Sequence, residues 1–172
     1  QAVQHLIDLG HERIGFISGP KMSTSSIDRL KGYKNALAQN GRRYEASLVR
    51  QGNLTPESGF QAANEVLGQR EKPTAILASN DLMAFGAIRV ARSLGLRVPQ
   101  DLSVVGFDNI PLSSYFEPPL TTVEIPMYSV GAASMQMLAD LLSGREFSRI
   151  KLFTTRLLVR ESSAKRGGKK MA

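Results

Sequence analysis

The length and composition of the chain set the first limits on what it can be. Its 172 residues are 42% hydrophobic and 22% charged, which is typical of a globular protein and is enough for one compact domain or a large part of a two-lobed one. The absence of cysteine excludes disulfides, thiolate catalysis and thiolate metal sites. No apolar run approaches the roughly 20 residues of a membrane span, so we expect no membrane partner.

The net charge of +7 is concentrated at the end of the chain. Residues 164–172, AKRGGKKMA, contain four basic residues and no acidic one, and without these four the net charge is +3. A basic segment that contains glycine is typical of disorder, so we predict a disordered basic tail over residues 163–172. This tail has no aromatic residue on which a nucleic-acid base would stack.

Helical and strand-like apolar patterns alternate along most of the chain. Buried strands are predicted at residues 14–17, 75–78 and 103–107. Helical spacing is found at residues 2–7, 27–37, 60–67 and 82–94. Thr55 and Asn80 are suitable N-caps for the last two of these helices. Short buried strands that alternate with helices predict an α/β fold, with a parallel sheet and helices on both of its faces.

The pattern changes after Pro118 and Pro119. The segment LTTVEI predicts a brief strand, and the segment KLFTTRLLVRE predicts a last strand near residues 152–159. Between them a helix is predicted over about residues 129–142, with an apolar stripe formed by Val130, Met137, Leu138 and Leu141.

Catalytic signatures are mostly absent. The pair His11 and Glu12 lacks the second histidine of the zinc-binding helix motif, because Gly15 stands four residues after His11, and we place the pair in a surface turn. The segment GPKMSTSS lacks the ordered spacing of a phosphate-binding loop. Asp81 and Asp108 are a conceivable carboxylate pair, but two carboxylates alone are weak evidence for catalysis. We therefore predict no enzyme, no metal and no cofactor.

Polar residues converge instead at one edge of the predicted sheet. The three strands are followed by Ser18, by Ser79, Asn80 and Asp81, and by Asp108 and Asn109. The carboxyl ends of parallel strands are where open α/β sheets bind ligands, and Arg29 can reach this edge from the second helix. A carboxylate accepts paired hydroxyl donors and a guanidinium donates in a fixed fork, so Asp108 with Arg29 suits a sugar or a nucleoside.

Each of these residues also has a purely structural interpretation. Asn80 is suited to cap the helix that follows it, and this role is compatible with a ligand contact. Arg29 has a surface salt bridge with Asp28 or Glu57 as its alternative. Asp108 has a simple turn after its strand as the alternative.

Several segments together resemble one protein family. HLIDLGHERIGFISGP, DRLKGYKNAL, PTAILASNDLMAFGAIRVARSLGLRVPQDLSVVGFDNIP and PPLTTV are similar, in register, to the lactose-repressor (LacI/GalR) family of transcriptional regulators, over residues 1 to about 162. The resemblance implies an effector-binding domain of the periplasmic-binding-protein type (type I), with two Rossmann-like lobes around a small molecule. The helix-turn-helix and most of the first lobe are then expected before Gln1, where the chain starts without a methionine.

The resemblance also implies a division of the chain. Residues 1–126 form the C-terminal lobe, residues 127–148 a crossover segment that belongs to the other lobe, and residues 149–162 a return strand. The disordered basic tail, residues 163–172, follows this strand.

Functional residues are carried over from the family position by position. Arg29 and Asp108 correspond to effector contacts, and Ser25 and Asn80 to further polar contacts. Leu54 stands where the family often has an aromatic residue that stacks on the ligand, which argues against conventional sugar stacking here. The helix over residues 81–94 and the segment SSYFEPP resemble dimer-forming surfaces, with Tyr115 and Phe116 as anchors, although a core role for Phe116 is the alternative.

The predicted function is that of the effector-binding and dimerisation module of a cytoplasmic, DNA-binding transcriptional repressor. Its expected partners are a sugar-like small molecule, a second copy of the chain, and operator DNA through the N-terminal helix-turn-helix. A periplasmic sugar-binding protein of a transport system is the main alternative, since it shares the architecture. An enzyme that uses Asp81 and Asp108 is the alternative from a different class.

Overall fold

A single mixed sheet organises the chain. The structure, a computed structural model, describes residues 1–146 and 148–167. Within these residues the sheet has six strands in the order β2, β1, β3, β4, β5, β6, all parallel to their neighbours except the last, which pairs antiparallel with β5. The strands are β1 (Ile14–Ser18), β2 (Val49–Gln51), β3 (Ala75–Ala78), β4 (Ser103–Asp108), β5 (Thr121–Glu124) and β6 (Arg156–Leu158).

Helices connect the strands, as the apolar pattern predicted. They are α1 (Ala2–Asp8), α2 (Thr24–Gln39), α3 (Pro56–Leu67), α4 (Asp81–Ser93) and α5 (Met127–Leu142), with short 3₁₀ turns at Ala46–Leu48 and Pro111–Ser114. The two predicted caps are confirmed: the Thr55 hydroxyl accepts from the Ser58 amide, and the Asn80 side chain accepts from the Met83 amide at 2.9 Å.

The core consists of two apolar layers, one on each face of the sheet. On one face α1 and α2 cover the strands, where Leu6 is fully buried and the rings of Phe16 and Tyr33 stack with centroids 5.0 Å apart. On the other face α3 and α4 pack closely. Gly59 permits this close approach because it has no side chain, whereas a Cβ at this position would overlap the backbone of Met83. Helices on both faces of a largely parallel sheet confirm the predicted fold class.

One strand was not predicted. β2 is only three residues long and lies at the edge of the sheet beside β1, and none of its residues is fully buried. A three-residue strand with half-buried side chains has neither the continuous apolar run nor the strict alternation that marks a strand in sequence.

His11 lies in the interior, so its predicted place in a surface turn was wrong. The side chain is 3% exposed, with Nδ1 2.9 Å from the Thr74 hydroxyl and Nε2 3.0 Å from the Ser103 hydroxyl. Nε2 also lies 3.1 Å from the Ala164 carbonyl oxygen. Because a carbonyl only accepts, Nε2 carries the proton and Nδ1 accepts from Thr74. Three polar partners offset the cost of burying this histidine, whereas its neighbour Glu12 is exposed.

The segment after β6 contains Ser162, the last residue of the predicted return strand, and the first residues of the predicted tail, and it packs against the rest of the chain. Ser162 is fully buried, and its hydroxyl accepts from the Thr121 amide at 2.8 Å and donates to the Val104 carbonyl at 2.6 Å. The Ser163 hydroxyl lies 2.9 Å from His5 Nε2, and the Arg166 amide donates to Leu9. Composition indicates disorder only when a segment has no partners, and here buried hydroxyl groups supply them. Residues 168–172 of the predicted tail lie outside the described residues.

Helix α5 leaves most of its large apolar side chains exposed. Ala133 is the residue of α5 that is buried among those described, while Tyr128 is 90% exposed and Leu142 is 79% exposed. Of the predicted stripe, Val130 and Met137 are half-buried, and Leu138 and Leu141 are exposed. Among the described residues, no helix combines the length and apolarity that a membrane crossing requires.

Candidate functional site

The predicted polar edge of the sheet is a crevice with Arg29 and Asp108 at its centre. Arg29 projects from α2, and its Nη2 lies 3.5 Å from Asp108 Oδ1 at the end of β4. Its Nη1 donates to the Ser79 carbonyl at the end of β3, and its guanidinium lies over the Phe107 ring, 3.9 Å from the centroid. Three residues at the carboxyl ends of two neighbouring strands therefore hold one guanidinium in place.

The ion pair with Asp108 replaces the surface salt bridge that was the alternative for Arg29. The two side chains are 19% and 31% exposed, so neither is on the open surface. Burial raises the pKa of Asp108 to about 6, and the nearby Arg29 opposes this rise. Burial also lowers the pKa of Arg29, against the attraction of Asp108. Both side chains are partly buried but keep some exposure to the crevice, so hydroxyl groups of a ligand can reach them.

The backbone at the end of β4 is strained. Asp108 has φ of 113° and Asn109 has φ of 58°, values that residues with a Cβ seldom adopt. The Asn109 amide group donates to Glu124 at 3.0 Å and accepts from Arg160 at 2.8 Å, and these bonds hold the turn. The turn that sequence offered as an alternative is therefore present, and it carries a partly buried carboxylate. Strained backbone of this kind clusters at functional sites.

Asn80 and Leu54 are joined at the rim of the crevice. Besides capping α4, the Asn80 side chain donates through Nδ2 to the Leu54 carbonyl at 3.0 Å. Leu54 has φ of 72°, and its side chain is partly buried against the core beneath α3 and α4. Asn80 thus has the predicted capping role, and a ligand contact by either residue stays a prediction.

Two hydroxyl groups of the predicted site differ in their surroundings. Ser25 is exposed at the start of α2, and its hydroxyl lies 2.9 Å from that of Ser23. Ser79 is 1% exposed, and its hydroxyl has no hydrogen-bond partner in the described residues. A cavity of about 240 Å³ beneath Arg29 is lined by Ser79 together with Phe107 and Leu77.

Asp81 does not face the crevice in the way that a catalytic carboxylate pair requires. It is 1% exposed, and its oxygens accept from the Ile110 amide at 2.9 Å, the Ser113 hydroxyl at 2.6 Å and the Thr122 hydroxyl. A carboxylate committed to three internal donors is not available for proton exchange with a substrate, so the hypothesis that Asp81 and Asp108 act as a pair was wrong. Within the described ranges, no group of histidine, aspartate or glutamate side chains is arranged to hold a metal ion.

Sequence reasoning did not identify the residues that support the crevice. Phe107 lies under Arg29, and Glu124 and Arg160 hold Asn109, yet none of them was singled out. A single phenylalanine in a buried strand, or one charged residue at or just after the end of a strand, has no motif around it. Only the pairing of β4 with β5, and the path of the chain after β6, brings these residues together.

The two predicted dimer anchors, Tyr115 and Phe116, differ in their exposure. Tyr115 is 85% exposed, whereas the Phe116 ring stacks on Phe85 with centroids 4.1 Å apart and is partly buried. A groove of about 500 Å³ beside Phe116 is lined by Phe60 and Arg89 among others. Phe116 therefore packs against the core, as its alternative interpretation held, while Tyr115 is free to contact another surface.

The fold and this crevice define a lobe of the periplasmic-binding-protein type, and comparison with known proteins agrees. A profile of the periplasmic binding protein-like domain matches residues 3–163. The transcriptional regulator CelR of Thermobifida fusca and the repressor CytR of Escherichia coli K12 are each 39% identical over 163 residues, which is 94% of this chain and 48% of theirs. The chain thus spans about half the length of these relatives.

Solved structures give the same result. The Escherichia coli repressor ascG superposes with a TM-score of 0.87 at 39% identity, over 95% of this chain and 59% of that one. A CelR complex with cellobiose gives 0.90 at 38% identity, over 94% and 50%. A lac repressor dimer bound to operator gives 0.88 at 37% identity, over 95% and 56%. The chain belongs to the periplasmic binding protein-like domain family, in its LacI/GalR group, which confirms the resemblance.

The relatives also bear on the alternatives. CelR and CytR are transcriptional regulators of the helix-turn-helix type and ascG is a transcriptional repressor, so a transport protein is not favoured.

Proposed function

We propose that this chain is the effector-binding lobe of a transcriptional repressor, and that its effector is a sugar or a related small metabolite with several hydroxyl groups. The observation that carries the proposal is the partly buried pair of Arg29 and Asp108 at the carboxyl ends of the strands. This position is where open α/β sheets bind ligands. The cellobiose complex of the related CelR supports a saccharide.

The chemistry of the crevice favours an uncharged ligand with hydroxyl groups. One guanidinium and one carboxylate are close to neutral together, so neither a strong anion nor a strong cation is selected. The Asp108 carboxylate accepts from two hydroxyl groups, and Arg29 donates to a hydroxyl or ring oxygen. Leu54 provides an aliphatic contact instead of a stacking ring, and Ser25 and Asn80 complete the polar rim.

We assign the rest of the regulator as follows. Residues 127–148 belong to a second lobe, and residues 149–162 return to the lobe described here. The exposed apolar side chains of α5 support this division, because such side chains need cover. Closure of the two lobes on the effector shifts a two-state equilibrium, which is read out in the affinity of an N-terminal DNA-binding domain. A regulator of this kind acts as a dimer, through the surface around Tyr115, in the cytoplasm where its operator is.

The proposal is tested by calorimetry on the whole protein with a panel of saccharides, starting with cellobiose. Asp108→Ala removes a charge-assisted hydrogen bond worth about 1.5 to 3 kcal/mol, so the affinity should fall roughly ten- to a hundred-fold. Asp101→Ala is the matched control, because Asp101 is also an aspartate in an ion pair, with Arg97 at 2.7 Å, but it lies before β4, at the other end of the strand. Equal affinity in wild type and Asp108→Ala contradicts the assignment.

A further inference from the structure

Asp81 is a buried carboxylate whose partners all lie on one part of the chain. It is the first residue of α4 and is 1% exposed. Its Oδ2 accepts from the Ile110 amide at 2.9 Å and the Ser113 hydroxyl at 2.6 Å, and its Oδ1 accepts from the Thr122 hydroxyl. These donors belong to the loop after β4 and to β5, which the loop joins. No lysine or arginine pairs with Asp81 among the residues that the structure describes.

The strand next to Asp81 makes room for it. A Cβ on Gly106 of β4 would overlap Asp81 Oδ1, so the absence of a side chain at this position lets the carboxylate approach the sheet. The Asp81 carboxylate therefore sits between β4 and the loop that follows β4. Its placement depends on the fold, since 29 residues or more separate it from every one of its donors.

The loop held by Asp81 is the strained one. Asp108 and Asn109 have φ of 113° and 58°, and the Ile110 amide that bonds to Asp81 belongs to the next residue. Strained backbone persists only when its surroundings fix it. The Asn109 side chain fixes the turn from the side of Glu124 and Arg160, and Asp81 fixes it from the side of α4.

We propose that Asp81 is a positioning residue for the effector crevice: it clamps the strained turn after β4, so that the Asp108 carboxylate faces Arg29 and the ligand. Asp81 itself does not touch the ligand. The inference rests on the proposed function only in taking Asp108 as a ligand contact, since the clamp is defined by contacts within the chain.

The clamp is tested without any ligand by following the carboxyl carbon of Asp108 in the whole protein, labelled with ¹³C at aspartate, as the pH is changed. The wild-type pKa is raised by burial to about 6. Ser113→Ala removes one donor from Asp81 but keeps its charge. The loosened turn then exposes Asp108 to water, and the pKa of Asp108 should move down towards the ordinary value of an aspartate.

Ser162→Ala is the matched control for this titration. Ser162 is also a buried serine with two hydrogen bonds, but they hold the segment after β6 and not the turn. This variant should lower the free energy of unfolding and leave the pKa of Asp108 unchanged. The same pKa of Asp108 in wild type and Ser113→Ala, or an equal change in both serine variants, overturns the clamp.

A double-mutant cycle on ligand affinity separates the clamp from the proposed function. With cellobiose or whichever saccharide of the panel binds, Asp81→Asn should weaken binding by about ten-fold in the wild-type background, and by less than about two-fold in Asp108→Ala. An equal loss in both backgrounds overturns the positioning role, because Asp81 would then act without Asp108. If Asp108→Ala alone binds the saccharide as tightly as wild type, the proposed ligand contact is overturned instead. The titration decides the clamp if Asp81→Asn does not fold.

Discussion

Arg29 Nη2 lies 3.5 Å from Asp108 Oδ1 although 79 residues separate the two along the chain. Arg29 is on the helix after β1, and Asp108 ends β4, with β3 between the two strands. Because all three strands are parallel, their carboxyl ends share one edge of the sheet, and a helix that starts at this edge reaches across it. The ion pair is thus a consequence of the strand order.

The first prediction concerns the stability of the folded chain near pH 5. The pKa of Asp108 is raised from 3.8 to about 6, so between these values the folded chain binds more protons than the unfolded chain. The contribution of Asp108 to the free energy of unfolding therefore falls as the pH rises from about 4 to 6, by about 1 to 3 kcal/mol. Urea denaturation at several pH values measures this change.

The control for this measurement is Asp108→Asn, which does not titrate. Burial lowers the pKa of His5 and His11, which acts in the opposite direction as the pH falls below about 6.5, so only the difference between wild type and variant reports Asp108. The free energy of unfolding of the variant should exceed that of wild type more at pH 7 than at pH 4. A difference that is constant over this range contradicts the raised pKa.

The second prediction concerns self-association through Tyr115. This residue is 85% exposed beside the stacked rings of Phe85 and Phe116, and aromatic anchors of an interface are often worth about 2 kcal/mol or more. Tyr115→Ser should weaken dimerisation by roughly thirty-fold in sedimentation equilibrium. Tyr128→Ser, which changes a tyrosine that is 90% exposed on α5, should leave it unchanged. A strict monomer at high concentration argues against this surface.

Phe116 is less suited to the same test, although it was also predicted as an anchor. Its ring packs on Phe85, so Phe116→Ser should lower the free energy of unfolding as well as weaken association. Thermal unfolding measured beside sedimentation separates the two effects.

The third prediction concerns α5 in the isolated 172-residue chain. Its apolar side chains Tyr128 and Leu142 are largely exposed, so few contacts protect its backbone hydrogen bonds. In dilute solution, amides over residues 127–142 should exchange within seconds to minutes, while those of β3 and β4 should exchange far more slowly. Equal protection throughout a monomeric chain would show that α5 is covered by this chain itself, and would contradict its assignment to a second lobe.

The fourth prediction concerns DNA. The basic residues are densest at the C-terminal end of the chain, where Lys165 is exposed and Arg166 lies 3.2 Å from Glu12. Binding by the 172-residue chain should therefore be weak, independent of sequence and lost as salt is raised. Replacement of Lys169 and Lys170 by alanine should weaken it further. A gel shift that is selective for one sequence and resistant to salt contradicts the proposal that a separate N-terminal domain recognises the operator.

The periodicity of the sequence was sufficient to predict the framework. Continuous apolar runs at β1, β3 and β4, with helical spacing between them, are typical of parallel strands whose side chains are buried by helices on both faces of the sheet. It follows that Ser18, Asn80 and Asp108 end strands at the same edge. The strands, the helices and the residues at the strand ends could be predicted because each depends on a local pattern of apolar residues.

Other features depend on distant neighbours, which no local pattern contains. His11 is buried because Thr74, Ser103 and Ala164 surround it. The segment after β6 is held because the Ser103 and Thr121 hydroxyl groups, at the starts of β4 and β5, accept from the Ala164 and Arg160 amides.

For Asp81, one property could be predicted from the sequence and another only from the tertiary structure. From sequence it was one of two carboxylates at the edge of the sheet, and its position as the first residue of a capped helix was predictable. In the structure the Asp81 side chain turns to the loop after β4, whereas Asp108 faces Arg29. Asp81 takes this position because Gly106 leaves room for it and because Ile110 and Ser113 donate hydrogen bonds to it. The sequence by itself determined which residues reach the crevice edge, since strand ends follow from periodicity. Only the tertiary structure decided which carboxylate is open to a ligand, because that depends on which donors the fold brings to each.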